Sequence, residues 1–408
     1  RIAALLVVLF NFGRSWRYIV ENKFYALFLL FCCLSLIWAP SFLYGSRMMA
    51  KLSAPFLFFL LVLTVITTRK QLKLLEHLII ATGLCGGAVA VAAKFAGYSA
   101  GENLGILIPG IGPSATSAHL AIVAMLSLAA SRTISPSWRL PLTIFLAATV
   151  VACFTRITIA ALGIGFATVW FLSTRGISRV IMPALGLAAA PALFLFNDIF
   201  RQRMFKSGAN MSVSTMMAAP SNAIEQIHGS GRFEAWSYVI TTFFEPNPRL
   251  GSGVGTTQHY FYTHLSTGLA NIHSEYILLL AEVGIIGCLL FLVVFSIYAR
   301  RLWMESRSAR SAEAKTYSAA ALGGLIVYFT FMATDNAFDY VTACGIFVFT
   351  FIAMSHKAYE LDARVEVEPA LTLPSPFDSQ HVGMTPLTSA GQHQSSHQVR
   401  KYPLIAKE

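Results

Sequence analysis

The stretch that decides the fold reads HGSGRFEAW at residues 228–236, PNPRLGSGVGTTQ at 246–258 and NIHSEYILLLAEVGIIG at 271–287. It is the one sizeable polar region of the sequence before the C-terminal tail, and long apolar blocks flank it. Its last part passes directly from polar residues into an apolar run of membrane-spanning length. This pattern predicts a polar region held at a membrane surface by a scaffold of helices.

The composition favours a membrane protein. Of the 408 residues, 56% are apolar and 12% are charged, whereas soluble domains contain about 25% charged residues. Many apolar runs are too long for the core helices of a soluble domain, so we predict an all-α, polytopic transmembrane helical bundle. The net charge of +11 does not indicate a nucleic-acid partner, because the basic residues separate apolar runs as topogenic signals do.

The apolar runs predict about 11–12 spans. The run at 2–12 is interpreted as the end of a spanning helix that starts before the sequence given. We predict one membrane domain at 1–354 with a large extracytoplasmic loop at 197–271, followed by a disordered tail at 355–408 that is rich in Ser, Pro, Gln and His. The ten full runs lie at 24–39, 52–67, 74–93, 115–130, 140–154, 157–172, 180–196, 272–298, 318–332 and 341–354.

The distribution of Lys and Arg predicts the orientation. One alternating set of short connections holds fifteen of these residues and the opposite set holds four. Because basic residues concentrate in cytoplasmic connections, the first set is predicted to face the cytoplasm. The tail is then cytoplasmic, and the loop at 197–271 faces outward.

Arg232 is the first candidate site residue. Phe233, Trp236 and Ile240 are spaced for one apolar helix face that lies in the membrane interface, and Pro246 is predicted to end this helix. An arginine at a helix N-terminus can hold phosphate, since the free N–H groups, the helix dipole and the bidentate guanidinium all favour an anion. The alternative is a solvated arginine with no ligand.

Arg156 lies in a very tight reversal between two apolar runs, on the side where positive charge is disfavoured. Placing an arginine near hydrocarbon costs up to roughly 3 kcal/mol, so the side chain is expected to have an anionic partner. That partner is either a phosphate of a ligand or an outward carboxylate, Asp335 or Asp339.

His273 begins an apolar helix directly after the polar region. A neutral imidazole at this position could act as a general base on a hydroxyl group, or it could simply cap the helix in the headgroup layer. Glu282 is nine residues further on, which puts it on the opposite helix face. We therefore expect Glu282 to be a structural acid that orients something else, and Glu275 also to face away from His273.

Other chemistries have no support in the sequence. The run at 251–255, GSGVG, lacks the strand before it that a nucleotide-binding motif requires, so we interpret it as a turn that lets backbone approach a ligand. There is no HExxH and no Walker motif. We expect neither a metal ion nor an organic cofactor.

Four motifs together resemble the O-antigen ligase and polymerase superfamily of bacterial envelope membrane proteins. The first two are Thr155-Arg156, where the family usually has Ser-Arg, and Gly231-Arg232 followed by Trp236. The third is the glycine-rich turn at 251–255. The fourth is HSEY at 273–276, where the family usually has His-Asn, continuing into LAEVGIIG at 280–287. The resemblance covers roughly residues 20–355.

The resemblance implies a metal-independent glycosyltransferase of the bacterial inner membrane whose site faces the periplasm. The implied donor is a glycan on undecaprenyl pyrophosphate, and the implied acceptor is a sugar hydroxyl on lipid A–core or on another glycan. Arg156 and Arg232 are then the diphosphate-binding residues, and His273 is the catalytic base or the residue that orients the acceptor. The remaining partners are membrane lipids.

Three alternatives stay open at this level. A polysaccharide polymerase, of O-antigen or exopolysaccharide, would use the same three residues. A transporter of a small anion or a lipid-linked glycan is disfavoured, because the sequence shows no internal repeat and few charges at midplane positions. A structural envelope protein would leave an outward pair of arginines and a histidine unexplained.

The predicted orientation can be tested with topology reporters. A reporter fused after Lys357 should report the cytoplasm, and one inserted near Ser214 should report the outside, because the fifteen-to-four bias fixes the direction of every span. The opposite result at either position would overturn the orientation and the outward site.

Overall fold

A computed structural model of the chain describes residues 2–98, 105–130, 136–174, 176–181, 184, 232–264 and 272–371. All the regular elements in these ranges are helices, which confirms the all-α class. The chain divides into two units, residues 1–364 and 365–408. In the described part of the second unit, residues 365–371 continue the last helix.

The described residues form thirteen helices whose bounds are given below, and residues 178–181 and 184 are also helical. A 3-10 turn, Ser35–Ile37, follows the third helix, and a π-helix, Ile240–Phe244, follows the ninth. The helices are α1 (Ile2–Phe10), α2 (Phe12–Glu21), α3 (Lys23–Leu34), α4 (Phe42–Val65), α5 (Arg69–Phe95), α6 (Pro113–Ala129), α7 (Pro136–Ala152), α8 (Arg156–Ser173), α9 (Arg232–Val239), α10 (Thr256–His264), α11 (Glu275–Ser308), α12 (Ala312–Met332) and α13 (Gly345–Leu371).

Four of these helices, α4, α5, α8 and α11, are long and apolar enough to cross a membrane. The pair α1 and α2, bent by 98°, makes a fifth if it acts as one span. The apolar stretches Lys23–Ile37, Pro113–Ala129 and Leu140–Ala152 are shorter. The chain is therefore a multi-pass membrane protein, while the total of 11–12 spans and the large loop stay predictions. The predicted span at 180–196 and the loop residues 197–231 fall almost wholly outside the described residues.

Several connections that we predicted from their charges are helical. The basic connection before residue 24 is α2, α4 begins at Phe42 instead of residue 52, and α11 continues to Ser308 instead of residue 298. Arginine and lysine end apolar runs in the sequence without ending the helix, because their long side chains reach away from the apolar surface.

The predicted start of the tail at residue 355 is also too early. The helix α13 continues through it to Leu371. Lys357 is buried there, and its Nζ donates to Glu360 Oε2 at 2.9 Å and to Tyr18 Oη at 3.1 Å. Because these polar groups are paired, the helix can continue in the bundle past the end of the apolar run.

The helices α6 and α12 form the centre of the bundle, and almost all of their side chains are buried. Glycines allow close helix packing here, as is common in membranes. A Cβ atom at Gly165 of α8 would lie 2.6 Å from Val327, and one at Gly323 would lie 2.5 Å from Val169. The helices α8 and α12 therefore pack closely and run antiparallel.

Three distant parts of the chain meet at one end of the bundle, which we call the site end. Val254 N donates to Ser35 Oγ at 3.2 Å, which joins the polar region to the end of α3. Lys51 of α4 pairs with Asp339, in the connection between α12 and α13. The site end thus holds residues 35–51, the described part of 232–274, and 333–344.

A kink in α11 is packed against the glycine-rich turn. Gly284 adopts φ 64° and ψ −170°, which breaks the helix. The carbonyls of Ala281 and Glu282 accept from Ser252 N at 2.9 Å and Gly253 N at 2.8 Å. A Cβ atom at Gly251 would lie 2.5 Å from the backbone of Glu282. The turn at 251–255 therefore approaches the backbone of α11, and our interpretation that it approaches a ligand is wrong.

Glu282 holds this turn from inside the bundle. Its side chain is fully buried, and its carboxylate accepts from Gly255 N at 2.7 Å, from Thr257 N at 3.2 Å and from Thr257 Oγ1. A buried carboxylate is tolerated when such donors satisfy it. The prediction that Glu282 is a structural acid is confirmed.

Replacing Glu282 by Leu should destabilise the fold. The N–H groups of Gly255 and Thr257 would lose their acceptor, and unsatisfied buried donors should lower the free energy of unfolding by about 2–5 kcal/mol. The thermal unfolding midpoint of the purified protein in detergent measures the effect. Glu234→Leu, at an exposed acid of α9, is the matched control and should change the midpoint little. An unchanged midpoint for Glu282→Leu would contradict the role of Glu282 in holding the glycine-rich turn.

Candidate functional site

The site is built around the connection that follows α12, residues 334–339, with the sequence TDNAFD. We call it the TDNAFD segment. The buried carboxylate of Glu275, at the start of α11, accepts from Phe338 N at 2.6 Å. Within the segment, Asn336 N donates to Asp335 Oδ1 at 2.9 Å. With Lys51 paired to Asp339, the segment is fixed at its C-terminal end.

Arg232 contacts the first residue of the segment. Its Nη1 donates to the carbonyl oxygen of Thr334 at 2.7 Å, and the side chain is half-buried. Arg232 is the first residue of the described part of α9. The contact uses one of five donors and leaves the positive charge without a carboxylate among the described residues. The guanidinium can therefore receive an anion from solvent.

The helix α9 packs differently from our prediction. Its buried residues are Ala235 and Val239, which continue to Phe243 in the π-helix, whereas Phe233 of the predicted apolar face is exposed. Trp236 lies at the border, and its Nε1 donates to the carbonyl oxygen of Ile272 at 2.7 Å. This bond ties the helix that carries Arg232 to the residue before His273.

His273 contacts the middle of the segment. Its backbone N–H donates to Asn336 Oδ1 at 3.0 Å, and its Nδ1 lies 3.2 Å from Asn336 Nδ2. A carboxylate oxygen, Asp335 Oδ1, lies 3.8 Å from the same Nδ1. The imidazole is 34% exposed. One ring nitrogen therefore faces the segment, while the other can reach a ligand.

The backbone of His273 is strained. Its φ of 53° lies in the left-handed region, which costs a residue other than glycine about 1–3 kcal/mol and persists only where surrounding contacts enforce it. Asn336 and the bond from Trp236 to Ile272 supply those contacts on both sides. Strain of this kind clusters at functional sites, which supports His273 as a site residue.

The Asn336 contacts define one tautomer of the imidazole. Since Asn336 Oδ1 accepts from a backbone N–H group, the other end of the amide, Nδ2, is a donor. His273 Nδ1 is then the acceptor, and the neutral ring carries its proton on Nε2. A ring in this state donates a hydrogen bond through Nε2. To accept a proton at Nε2, the ring must instead carry its own proton on Nδ1. The carboxylate of Asp335 would then accept a hydrogen bond from that Nδ1–H group.

Arg156 begins α8 at the site end and is half-buried. The reversal before it is as tight as predicted, since Phe154 has a positive φ of 54°. Thr158, in the same turn of α8, accepts from Ser117 of α6 at 3.0 Å. Because α8 packs antiparallel to α12, the start of α8 lies toward the same end of the bundle as the end of α12.

The sequence analysis did not single out Asn336, and it considered Asp335 only as a partner for Arg156. The only available signal was a short polar run between two apolar runs, with two aspartates and an asparagine in six residues. Sequence alone cannot place this run against His273, because the contact spans 63 residues. Among the described residues, no group of three His, Cys, Asp or Glu side chains could hold a metal ion.

The fold and this cluster define a multi-pass helical membrane protein that carries a guanidinium and an imidazole on one polar segment at the end of its bundle. Residues 141–292 match the model of the family described as Wzy_C, O-antigen ligase. This match supports an O-antigen ligase superfamily membrane protein, as the motifs predicted. Members of this family are glycosyl-transferring enzymes. No curated protein matches the chain.

The match contains Arg156, Arg232 and His273 and ends before the TDNAFD segment. The three residues predicted from sequence therefore lie within the matched region. The TDNAFD segment, which contacts two of these residues, lies outside the matched region and was identified from the structure of this chain.

Proposed function

We propose that the chain transfers a glycan from an undecaprenyl-pyrophosphate-linked donor to a sugar hydroxyl, as an O-antigen ligase does, on the periplasmic side of the inner membrane. The observation that supports this best is the TDNAFD segment, which holds Arg232 at one residue and His273 two residues further on. A cation for a leaving diphosphate and an imidazole for a hydroxyl are thus positioned together.

Arg232 and Arg156 are the proposed diphosphate-binding residues. As the glycosidic bond breaks, negative charge builds up on the departing pyrophosphate, and preorganised cations that face it lower the barrier. A guanidinium offers paired donors that match phosphate oxygens. Arg232 is suited to this role because its described contact is to a carbonyl oxygen, which leaves its full positive charge for the ligand.

His273 is the proposed catalytic residue. The imidazole takes the proton of the acceptor hydroxyl at Nε2 as the new glycosidic bond forms. For this, Nδ1 must carry a proton, and Asp335 is the carboxylate that would hold it, at 3.8 Å in the absence of substrate. Catalytic hydrogen bonds are often longer in the free enzyme and shorten when substrate binds. Asn336 holds the ring in its resting position.

A polysaccharide polymerase is the second candidate function, because it would use the same donor and the same three residues. The two functions differ in the acceptor, which is lipid A–core for the ligase and a growing glycan for the polymerase. Because the family match covers both possibilities, glycan profiling of a deletion strain decides between them.

Arg232→Lys tests the diphosphate contact. Lysine keeps the charge but loses the paired donors of the guanidinium, so the variant should insert normally and lose most of its transfer activity. Transfer is measured with purified protein, a lipid-linked donor and an acceptor. Arg249→Lys changes an exposed arginine of the same polar region and is the matched control. Equal activity of Arg232→Lys and the parent would show that a positive charge alone suffices for transfer, without paired donors.

His273→Ala tests the general base. Losing a general base should reduce the transfer rate by about 10²–10⁴-fold, while donor binding survives because both arginines remain. The assay uses purified protein with undecaprenyl-pyrophosphate glycan and acceptor, with chelator present and no added metal. His264→Ala, at an exposed histidine of α10, is the matched control and should transfer as the parent does. Full transfer by His273→Ala would exclude it as the base.

A further inference from the structure

A second feature of the site end is a cavity of about 510 Å³ beside the TDNAFD segment. This volume is in the usual range for a small-molecule site, about 300–1,000 Å³. The cavity is lined by the start of α4, by α10 and by the end of the segment, through Tyr44, Arg47, Ala50, Lys51, Gln258, Tyr262, Asp339 and Val341. We call it the α4–α10 cavity.

The cavity combines an aromatic wall with a cation. The rings of Tyr44 and Tyr262 are stacked, with centroids 6.1 Å apart and planes at 24°. Arg47 lies 5.5 Å above the Tyr44 ring and has no carboxylate partner among the described residues. Lys51, in contrast, is neutralised by Asp339. Among the described residues that line the cavity, the charge offered to a ligand is therefore that of the Arg47 guanidinium.

The wall of the cavity also contains hydrogen-bonding atoms without partners. Gln258 Oε1 and His259 Nδ1, on α10, are buried and have no hydrogen-bond partner among the described residues. Buried polar atoms of native proteins are nearly always satisfied, so an exception needs an explanation. Because Gln258 lines the cavity, a rotation of its amide would present this acceptor to a hydroxyl group of a bound ligand.

The cavity continues toward His273. A smaller cavity, of about 20 Å³, shares Gln258 and Asp339 with it and is lined at its other side by Ile272 and Asn336. Along the TDNAFD segment, Arg232 contacts residue 334, His273 contacts residue 336, and the cavity is reached at residue 339. The proposed diphosphate contact, the imidazole and the cavity thus all meet this one segment.

We propose that the α4–α10 cavity is an acceptor-side subsite for an acidic sugar, a pyranose ring that bears a carboxylate or a phosphate. The aromatic wall would pack against the apolar face of the ring, Arg47 would bind the anionic group through paired donors, and Gln258 would accept from a ring hydroxyl. The assignment of the cavity to the acceptor rests on the proposed transfer reaction. The preference of the cavity for an acidic sugar rests on the residues of the cavity alone.

Saturation-transfer difference NMR on the full chain in nanodiscs tests the binding, with empty nanodiscs as the blank. The probes are methyl glucuronide, glucose 1-phosphate, neutral methyl glucoside and glycerol 3-phosphate. Both acidic sugars should bind about tenfold more tightly than the neutral glucoside, because only they form a charge-assisted hydrogen bond with the Arg47 guanidinium. Glycerol 3-phosphate carries the charge of a lipid headgroup without a ring and should bind more weakly than glucose 1-phosphate.

Variants then locate the binding. Arg47→Ala should remove the preference for the acidic sugars, and Tyr262→Ala should weaken all three sugars; both side chains are exposed, so the fold should be retained. Arg307→Ala is the matched control, because Arg307 is also exposed and lies 5.2 Å above an aromatic ring, that of Trp303, near the other end of α11. It should bind the probes as the parent does.

The possible outcomes distinguish a failure of the proposed subsite from a failure of the proposed reaction. Equal binding of glucoside and glucuronide, or no effect of Arg47→Ala, overturns the subsite even if the parent protein transfers glycan. Glycerol 3-phosphate that binds as well as glucose 1-phosphate also overturns it, because the cavity would then recognise a headgroup. If the acidic sugars bind as expected but no acceptor is glycosylated, the subsite is retained and the proposed reaction fails.

Discussion

The structure depends on two buried carboxylates in the part of α11 that enters the bundle. Glu275 accepts from the backbone of Phe338, and Glu282 accepts from the backbone of Gly255 and from Thr257. Charged groups removed from water need donors nearby, and here the donors belong to two connections that are distant in sequence. Satisfying these carboxylates fixes the glycine-rich turn and the TDNAFD segment to the same helix. These two contacts then determine where the site residues lie.

The kink at Gly284 shows why this arrangement is stable. A broken helix exposes backbone groups that are expensive to leave unsatisfied in a membrane. Ser252 and Gly253 donate to the carbonyls before the break, and the N–H group of Ile285 donates to Pro248 at 2.9 Å. Gly251 of the turn and Gly284 of α11, both with positive φ, allow the two backbones to approach without a Cβ atom between them.

The sequence predicted the residue types of the site better than their contacts. The membrane class, the reversal before Arg156, the helix at Arg232 and the structural role of Glu282 could all be derived from periodicity and charge, since these are local properties. Helix ends were less predictable, because basic side chains reach past the ends of apolar runs. The contact of Asn336 with His273 is purely tertiary and could not be derived. The residues 197–231 lie outside the described residues, so the predicted loop stays a prediction.

The arginines of the proposed site have different contacts from two arginines that hold helices together at the opposite end of the bundle. There, Arg69 pairs with Asp362 at 2.6 Å and Arg301 pairs with Glu305 at 2.9 Å. Such pairs hold helices together and leave little charge for a partner. At the site end, Arg232 contacts a carbonyl oxygen and Arg47 an aromatic ring. These contacts orient each guanidinium without neutralising it, which is the arrangement that binding an anionic substrate requires.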